Sequence, residues 1–292
     1  MAVARRNRRT DGAPNPKPAR VPFVRRPFGG LPGEADWVAL REFVPAATAT
    51  VRLGPGAGAH AGEDVVVATV LPMAWPALRR LDGAVYVGLQ TAGASADASR
   101  DVAAALERAL EAEPGSPVEP GPLPAAGSRL QDLLDPESGF EVLVREGFEF
   151  WVEGVEQTPE VAASLERANT AVVPTARLAS VDAAYWCSIG TKEHLRWLLT
   201  EDEDAVVDAL ARLHIAGGLA LGEGTRYVGS LRADGLLIPV WDLPQGHGAD
   251  ALEEPAAAVR VRLDEALATP RPLTAEERGA RNGLLNRQLT LR

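Results

Sequence analysis

The 292-residue sequence predicts an α+β fold, with antiparallel sheets covered on one face by helices. Two patterns carry this expectation. Alternating or apolar stretches come in pairs around short turns, and single amphipathic helices separate the pairs. Apolar content of 46 % gives a chain of this length enough material for two similar-sized halves.

In chain order, residues 65–70 and 85–89 read as strands, with Asp82-Gly83 a turn between extended stretches. Residues 54–62 (GPGAGAHAG) have no side chain large enough to anchor them and read as a hairpin tip or a flexible loop. A helix follows from Asp97 or Ser99 as cap, with Val102, Leu106 and Leu110 on its buried face. Residues 113–127 carry five prolines and read as an interdomain linker or a long surface crossing. This divides the chain into a basic arm (1–33), a first half (34–112), the linker (113–127), a second half (128–268) and a C-terminal helix and tail (273–292).

Beyond the linker, residues 140–144 and 148–152 alternate around Glu146-Gly147 as a hairpin, and Thr158 caps a helix with Pro159 at its first position. A third hairpin joins residues 183–189 to 194–199. A four-residue turn at 190–193 would set Ile189 opposite His194 and Trp186 opposite Trp197. Glu201, Asp202, Glu203 and Asp204 open a helix striped by Val206, Leu210 and Leu213 that stops at Gly217-Gly218. The fourth hairpin, 227–231 with 236–241, turns at Asp234-Gly235. The helix after it buries Val259, Leu263 and Leu267, and Thr274 caps a last helix. A hairpin followed by an alanine-rich helix occurs at 65–112 and again at 226–268, the mark of an internal duplication or of a shared supersecondary habit.

Charge is segregated. Residues 1–26 hold eight basic groups (Arg5, Arg6, Arg8, Arg9, Lys17, Arg20, Arg25, Arg26) against Asp11, a net of +7. The remaining residues carry −17. Prolines at 14, 16, 18 and 22 forbid a helix there, so the arm is expected to be extended or disordered. Dense arginine on such an arm can neutralise phosphates, which points to RNA, ribosome or DNA as partner, with a protein partner as a further option.

Several functions are excluded. No apolar run approaches the roughly 18 residues of a membrane span, and Arg25-Arg26 lacks the apolar region an export signal needs, so a cytoplasmic location is expected. The two lysines, Lys17 and Lys192, do not follow the glycine pattern of a phosphate-binding loop, which removes ATPases and GTPases of that class. One cysteine and four dispersed histidines make no metal site, and no cofactor motif occurs. The acidic run at 201–204 points in four directions on a helix, and the glycines at 217–224 follow a helix end where phosphate sites precede one. Cys187 and His194 are the one nucleophile–base pair close in sequence. With Trp186 and Trp197 they mark an expected pocket near the aromatic hairpins. An aromatic sheet face there could stack bases, although core packing is its commoner use.

Gly30-Leu31-Pro32-Gly33-Glu34-Ala35-Asp36-Trp37 running into Val38-Ala39-Leu40-Arg41-Glu42, the strand Ala184-Tyr185-Trp186-Cys187, residues 222–226, 239–244 and 287–291 together resemble an uncharacterised actinobacterial family, a domain of unknown function. Some of its members carry the label of preprotein-translocase ATPase. The chain lacks both the phosphate loop and the cysteine-rich zinc tail such a motor requires, and the family supplies no catalytic residues. The leading expectation is a non-catalytic protein that binds a macromolecule. The alternatives are a small-molecule binder or enzyme with a pocket between the halves, and an accessory factor in protein export.

Overall fold

A computed structural model describes residues 22–292 apart from 125, 155–157, 288 and 290–292. The chain is α+β, as expected, with two sheets. The first sheet is built from β1 (Ala47–Arg52), β2 (Asp64–Ala68), β3 (Ala77–Arg79), β4 (Val85–Gly88), β5 (Pro117–Val118) and β6 (Glu141–Val144), in the order β5-β3-β4-β2-β1-β6. The second comprises β7 (Thr175–Arg177), β8 (Ala184–Ile189), β9 (Lys192–Trp197), β10 (Arg226–Ala233) and β11 (Leu236–Leu243), in the order β10-β11-β9-β8-β7. Seven α-helices occur among the described residues: α1 (Glu34–Glu42), α2 (Ala98–Glu111), α3 (Leu130–Leu133), α4 (Pro159–Asn169), α5 (Glu203–Ile215), α6 (Glu253–Leu267) and α7 (Ala275–Leu285).

Helix α1 organises the rest. Ala35 to Leu40 are six consecutive buried residues, so this helix is buried all round, a pattern that a helix reaches only when it is enclosed by other elements. On one side it meets the inward face of the first sheet (Ala47, Val51, Val65, Val67, Val85, Val87), which α2 also covers with Val102, Leu106 and Leu110. On the other it meets Tyr185, Leu198, Leu231, Ile238 and Val240 of the second sheet, so the two sheets share one core through α1. Trp37 stacks between Phe28 (centroids 5.6 Å apart) and Phe140 (4.4 Å), and its Nε1 donates to Pro32 O at 3.1 Å.

The outer faces are closed separately. Beneath the first sheet, Ala46, Leu71 and Tyr86 pack on Phe148 and Phe150, with Trp151 and Leu165 alongside. On the second sheet, Leu195, Trp197, Leu237 and Trp241 pack under α5, α6 and α7. Asp202 caps α5, and Thr274 with Glu277 forms the capping box of α7, as their positions in the sequence suggest.

Several elements differ from the expectation. Residues 148–152 form no strand: residues 149–151 make a 3₁₀ turn tucked under the first sheet, and β6 pairs with β1 instead. Strands 64–68 and 85–88 are neighbours but parallel, so the first sheet is mixed, and the Asp82-Gly83 turn joins β3 to β4. Residues 54–62 do form the tip of a hairpin, joining β1 to β2. Glycine is needed there because a Cβ on Gly56 would come within 1.8 Å of Asp132 O. The β8–β9 turn contains only Gly190 and Thr191. Ile189 therefore faces Lys192, and Trp186 faces Leu195 rather than Trp197. The two-residue slip keeps every side chain on its expected face.

The segment 113–127 does not separate the sheets. Strand β5 lies within it and β6 follows it, and both belong to the first sheet, so the sheets divide between residues 144 and 175. Residues 24–33 belong to the body as well: Val24 N–H donates to Ala96 O, and Phe28 is fully buried.

The two sheets share a spatial order, in which β3-β4-β2-β1-β6 corresponds to β10-β11-β9-β8-β7. The second hairpin is reversed, however, since β4 runs parallel to β2 while β11 runs antiparallel to β9. Helix α5 explains the difference. Its 13 residues carry the chain about 20 Å back along the sheet before β10 begins, whereas β2 leads to β3 through only a 3₁₀ turn at Pro72–Ala74.

A buried polar tie fixes α1 to the second sheet. Asp36, 5 % exposed, accepts from Arg177 Nε (3.0 Å) and the Tyr185 hydroxyl (2.5 Å) at Oδ1, and from a second Arg177 nitrogen (3.1 Å) at Oδ2. Burial alone would lower the Arg177 pKa, but the Asp36 carboxylate raises it above its ordinary value. Burial and the same carboxylate push the Tyr185 hydroxyl well up. Asp36→Ala leaves Arg177 without its buried partner and is expected to cost about 3 kcal/mol. Urea unfolding measures it, and a loss within about 0.5 kcal/mol, the range of ordinary surface substitutions, would contradict the role assigned to this tie.

Candidate functional site

A cleft enclosing about 950 Å³ runs along the outer face of α2. Ala98, Asp101, Ala105 and Arg108 recur at three- and four-residue spacing and form its floor. Residues 89–94, which leave the end of β4, make one wall. Residues 120–124 (PGPLP) make the other. Arg41 and Glu42, the last turn of α1, also line it. The proline-rich segment is held in place by the pairing of β5 with β3 and by Arg108, which donates to Glu119 O at 3.1 Å. Its rigid extended chain thus serves as a wall.

The lining is mostly apolar, with small side chains and prolines, and its charges sum to acidic, Glu42, Asp101, Glu107 and Glu111 against Arg41 and Arg108. Asp101 accepts from Ser95 N–H at Oδ2 (2.7 Å), while its buried Oδ1 has no hydrogen-bond partner among the described residues. Glu107 and Glu111 are exposed along the same helix. Both arginines of the cleft have protein partners: Arg41 binds Glu42 (2.6 Å) and Asp234 (2.8 Å), and Arg108 binds backbone oxygens of Ala104 and Glu119. Burial pushes the Glu42 carboxyl up against the opposing pull of Arg41, and it pushes Asp234 up in the same way. Among the described residues the lining contains no cysteine, histidine, tyrosine or serine, and its one hydroxyl, Thr91, donates to Gly93 O.

A second depression, about 1110 Å³, lies between residues 30–36 and residues 179–183 and 197–201. Most of its charges are paired, Arg26 with Glu34, Arg260 with Glu201, and Asp36 with Arg177, while Asp182 is exposed at its rim. The α2 cleft is therefore the better candidate, because it combines apolar walls with an unpartnered carboxylate oxygen.

The four residues of the expected aromatic pocket do not meet in one cavity. Trp186 and Trp197 project from one face of the second sheet, Cys187 and His194 from the other. Trp197 is core and also borders the second depression. Trp186 donates to Glu193, which Gly246 and Gly248 N–H also bind. Burial would raise Glu193, and these donors outweigh it and hold it below the usual carboxylate range. Cys187 sits directly opposite His194, and His194 opposite Asp242. Yet His194 Nδ1, 3.0 Å from Asp242 Oδ1, is not aligned to bond it. Burial pushes the Cys187 thiol up, the reverse of what an attacking thiolate needs.

Of the basic arm, Arg5, Arg6, Arg8, Arg9, Lys17 and Arg20 lie outside the described residues. Arg25 pairs with Glu203 (2.8 Å), and Arg26 binds Glu34 through two nitrogens at 2.7 Å each, so these two are engaged with the body. No helix among the described residues is long and apolar enough to cross a membrane, and no group of three or more His, Cys, Asp or Glu among them could hold a metal ion.

Fold and site together define a two-sheet α+β protein with an acidic, open cleft on one helix. The chain belongs to the family described as "Family of unknown function (DUF5926)", which matches it over residues 27–292 and bears out the resemblance read from residues 30–42 and the later stretches. No curated protein and no solved structure matches the chain.

Glu42 of the cleft and Asp234, which binds Arg41, make stability depend on pH. Glu42 and Asp234 hold protons more tightly folded than unfolded. Their contribution is complete below their ordinary values of 4.5 and 3.8 and drains away as pH rises through the raised native values. Glu42→Gln is expected to flatten the fall in stability as pH rises above the ordinary carboxyl value of 4.5, read by urea unfolding. An unchanged slope would contradict it.

Proposed function

We propose that this chain is a non-catalytic cytoplasmic binding protein whose α2 cleft receives an extended polypeptide segment with small apolar side chains and positive charge. The observation that carries this reading is a lining of small apolar side chains whose charges sum to acidic, Glu42, Asp101, Glu107 and Glu111 against Arg41 and Arg108, with Asp101 Oδ1 unpartnered among the described residues. A carboxylate oxygen in that setting recovers its lost hydration from a cationic or N–H donor. Shape supports a chain rather than a compact molecule. From Ala98 to Ala112 the floor runs about 20 Å, the length of about six extended residues, and it is open along its side. The lining supplies no nucleophile with a neighbouring base, which favours binding over catalysis.

A labelled peptide of alternating arginine with alanine or proline is the direct probe, read by fluorescence polarisation. Binding is expected, weakened roughly tenfold by Asp101→Asn, the scale of a hydrogen bond to a charged group. Binding that ignores the substitution, or none at all to a full chain with Arg5, Arg6, Arg8 and Arg9 changed to Glu, would contradict the reading.

A second reading, favoured by the +7 charge of residues 1–26, has the arm grip phosphate on RNA, the ribosome or DNA. With Arg25 and Arg26 paired to the body, six basic groups are left to count. Co-sedimentation with RNA across a salt series should then give a slope no steeper than about −4 to −5. A steeper slope would mean that the ion pairs open, and salt-insensitive association would remove the arm's role.

A further inference from the structure

The α2 cleft lies beside the point where the N-terminal arm joins the body. Val24 N–H donates to Ala96 O at 2.9 Å, and Ala94 and Ala98, on either side of Ala96, line the cleft. Any chain N-terminal to Val24 therefore starts at the edge of this cleft. The 21 residues before it that lie outside the described structure carry six basic groups and one acid, Asp11, spaced by alanines and prolines.

That composition is the one the cleft selects. Its charges sum to acidic: Glu42, Asp101, Glu107 and Glu111 outnumber Arg41 and Arg108, and Oδ1 of Asp101 has no partner among the described residues. Prolines at 14, 16 and 18 bias the arm towards an extended chain, which fits an open-sided groove. Reach is no obstacle, because 16 extended residues span about 50 Å, more than twice the floor. Tethering adds a further advantage, since a linked segment meets its site at an effective concentration in the millimolar range. A weak complementarity of small side chains and dispersed charge is then enough to fill the cleft.

We propose that residues 5–20 of the chain occupy its own α2 cleft as an intramolecular pseudo-ligand, which an incoming cationic peptide must displace. The proposal rests on the reading of the cleft as a site for positively charged polypeptide. It makes the arm a regulator of that site, and it competes with phosphate binding for the same arginines.

The test uses the full chain with a photo-crosslinking amino acid in place of Ala13, the products being mapped by mass spectrometry. Crosslinks into residues 89–112 or 119–124 are expected. In a mixture of light and heavy isotope-labelled chains they should join segments of one label only. Reversing the exposed rim with Glu107→Lys and Glu111→Lys should cut their yield roughly tenfold, and raising the salt should reduce it as well. Crosslinks that join light to heavy chains would overturn the intramolecular form, because the occupant would be a second copy's arm. Crosslinks scattered outside the cleft, or found only on added RNA, would overturn the proposal outright. A separate peptide of residues 1–21, titrated onto a full chain with Arg5, Arg6, Arg8 and Arg9 changed to Glu, isolates the underlying reading. If it binds and the rim reversal weakens it while the tethered arm gives no cleft crosslinks, the pseudo-ligand falls and the cleft site stands. If it does not bind, both fall.

Discussion

Everything in this fold depends on one short helix that has no solvent face. Helix α1 is nine residues long, too short to be stable alone, so its order must come from what surrounds it. It fills the space between two sheets, and an enclosed helix cannot carry an unpaired charge. Asp36 nevertheless sits there, and it is tolerated because Arg177 and Tyr185 of the second sheet supply three donors. Removing either side of that arrangement exposes apolar surface on both sheets at once. The tie also reaches the site: α1 ends in Arg41 and Glu42 at the cleft, where Arg41 crosses to Asp234 in the turn of the second sheet.

The cleft follows from how α2 is placed. Its inner face completes the core of the first sheet with Val102, Leu106 and Leu110, and among the described residues no helix or sheet covers its outer face. The proline-rich crossing borders that face without burying it, since its backbone is fixed at one edge by β5 and at another by Arg108. An apolar floor with small side chains is thus left open beside acidic groups. A single unpartnered oxygen on Asp101 is a modest feature. Its setting among alanines and prolines is what gives it chemical direction.

The legible parts of the fold were those with local signals. Asp202 and Thr274 marked helix starts, and Asp234-Gly235 marked a hairpin, because caps and turns are chemistry of neighbouring residues. Helix α1 was not recognised as a helix because enclosure on all sides erases the 3.6-residue alternation that amphipathic helices show. The stretch 148–152 misled for a related reason: Phe148, Phe150 and Trp151 are apolar because they lie under a sheet, not because they belong to one. The site left almost no trace. Alanine, glycine and proline carry no functional signature, and nothing local distinguishes Asp101 from any other acid in the first turn of a helix. The expected aromatic pocket failed for the opposite reason, since strand alternation sends Trp186 and Trp197 away from Cys187 and His194.

Both sheets share one core through α1. Native-state hydrogen exchange tests this most directly, comparing the slowest amides of β2 and β9 through a denaturant series below the unfolding midpoint. One core predicts that both sets open with the same free energy and the same denaturant dependence, in a single global event. If β9 exchanged through an opening that left β2 protected, the sheets would be separate cooperative units, and α1 would belong to one of them alone.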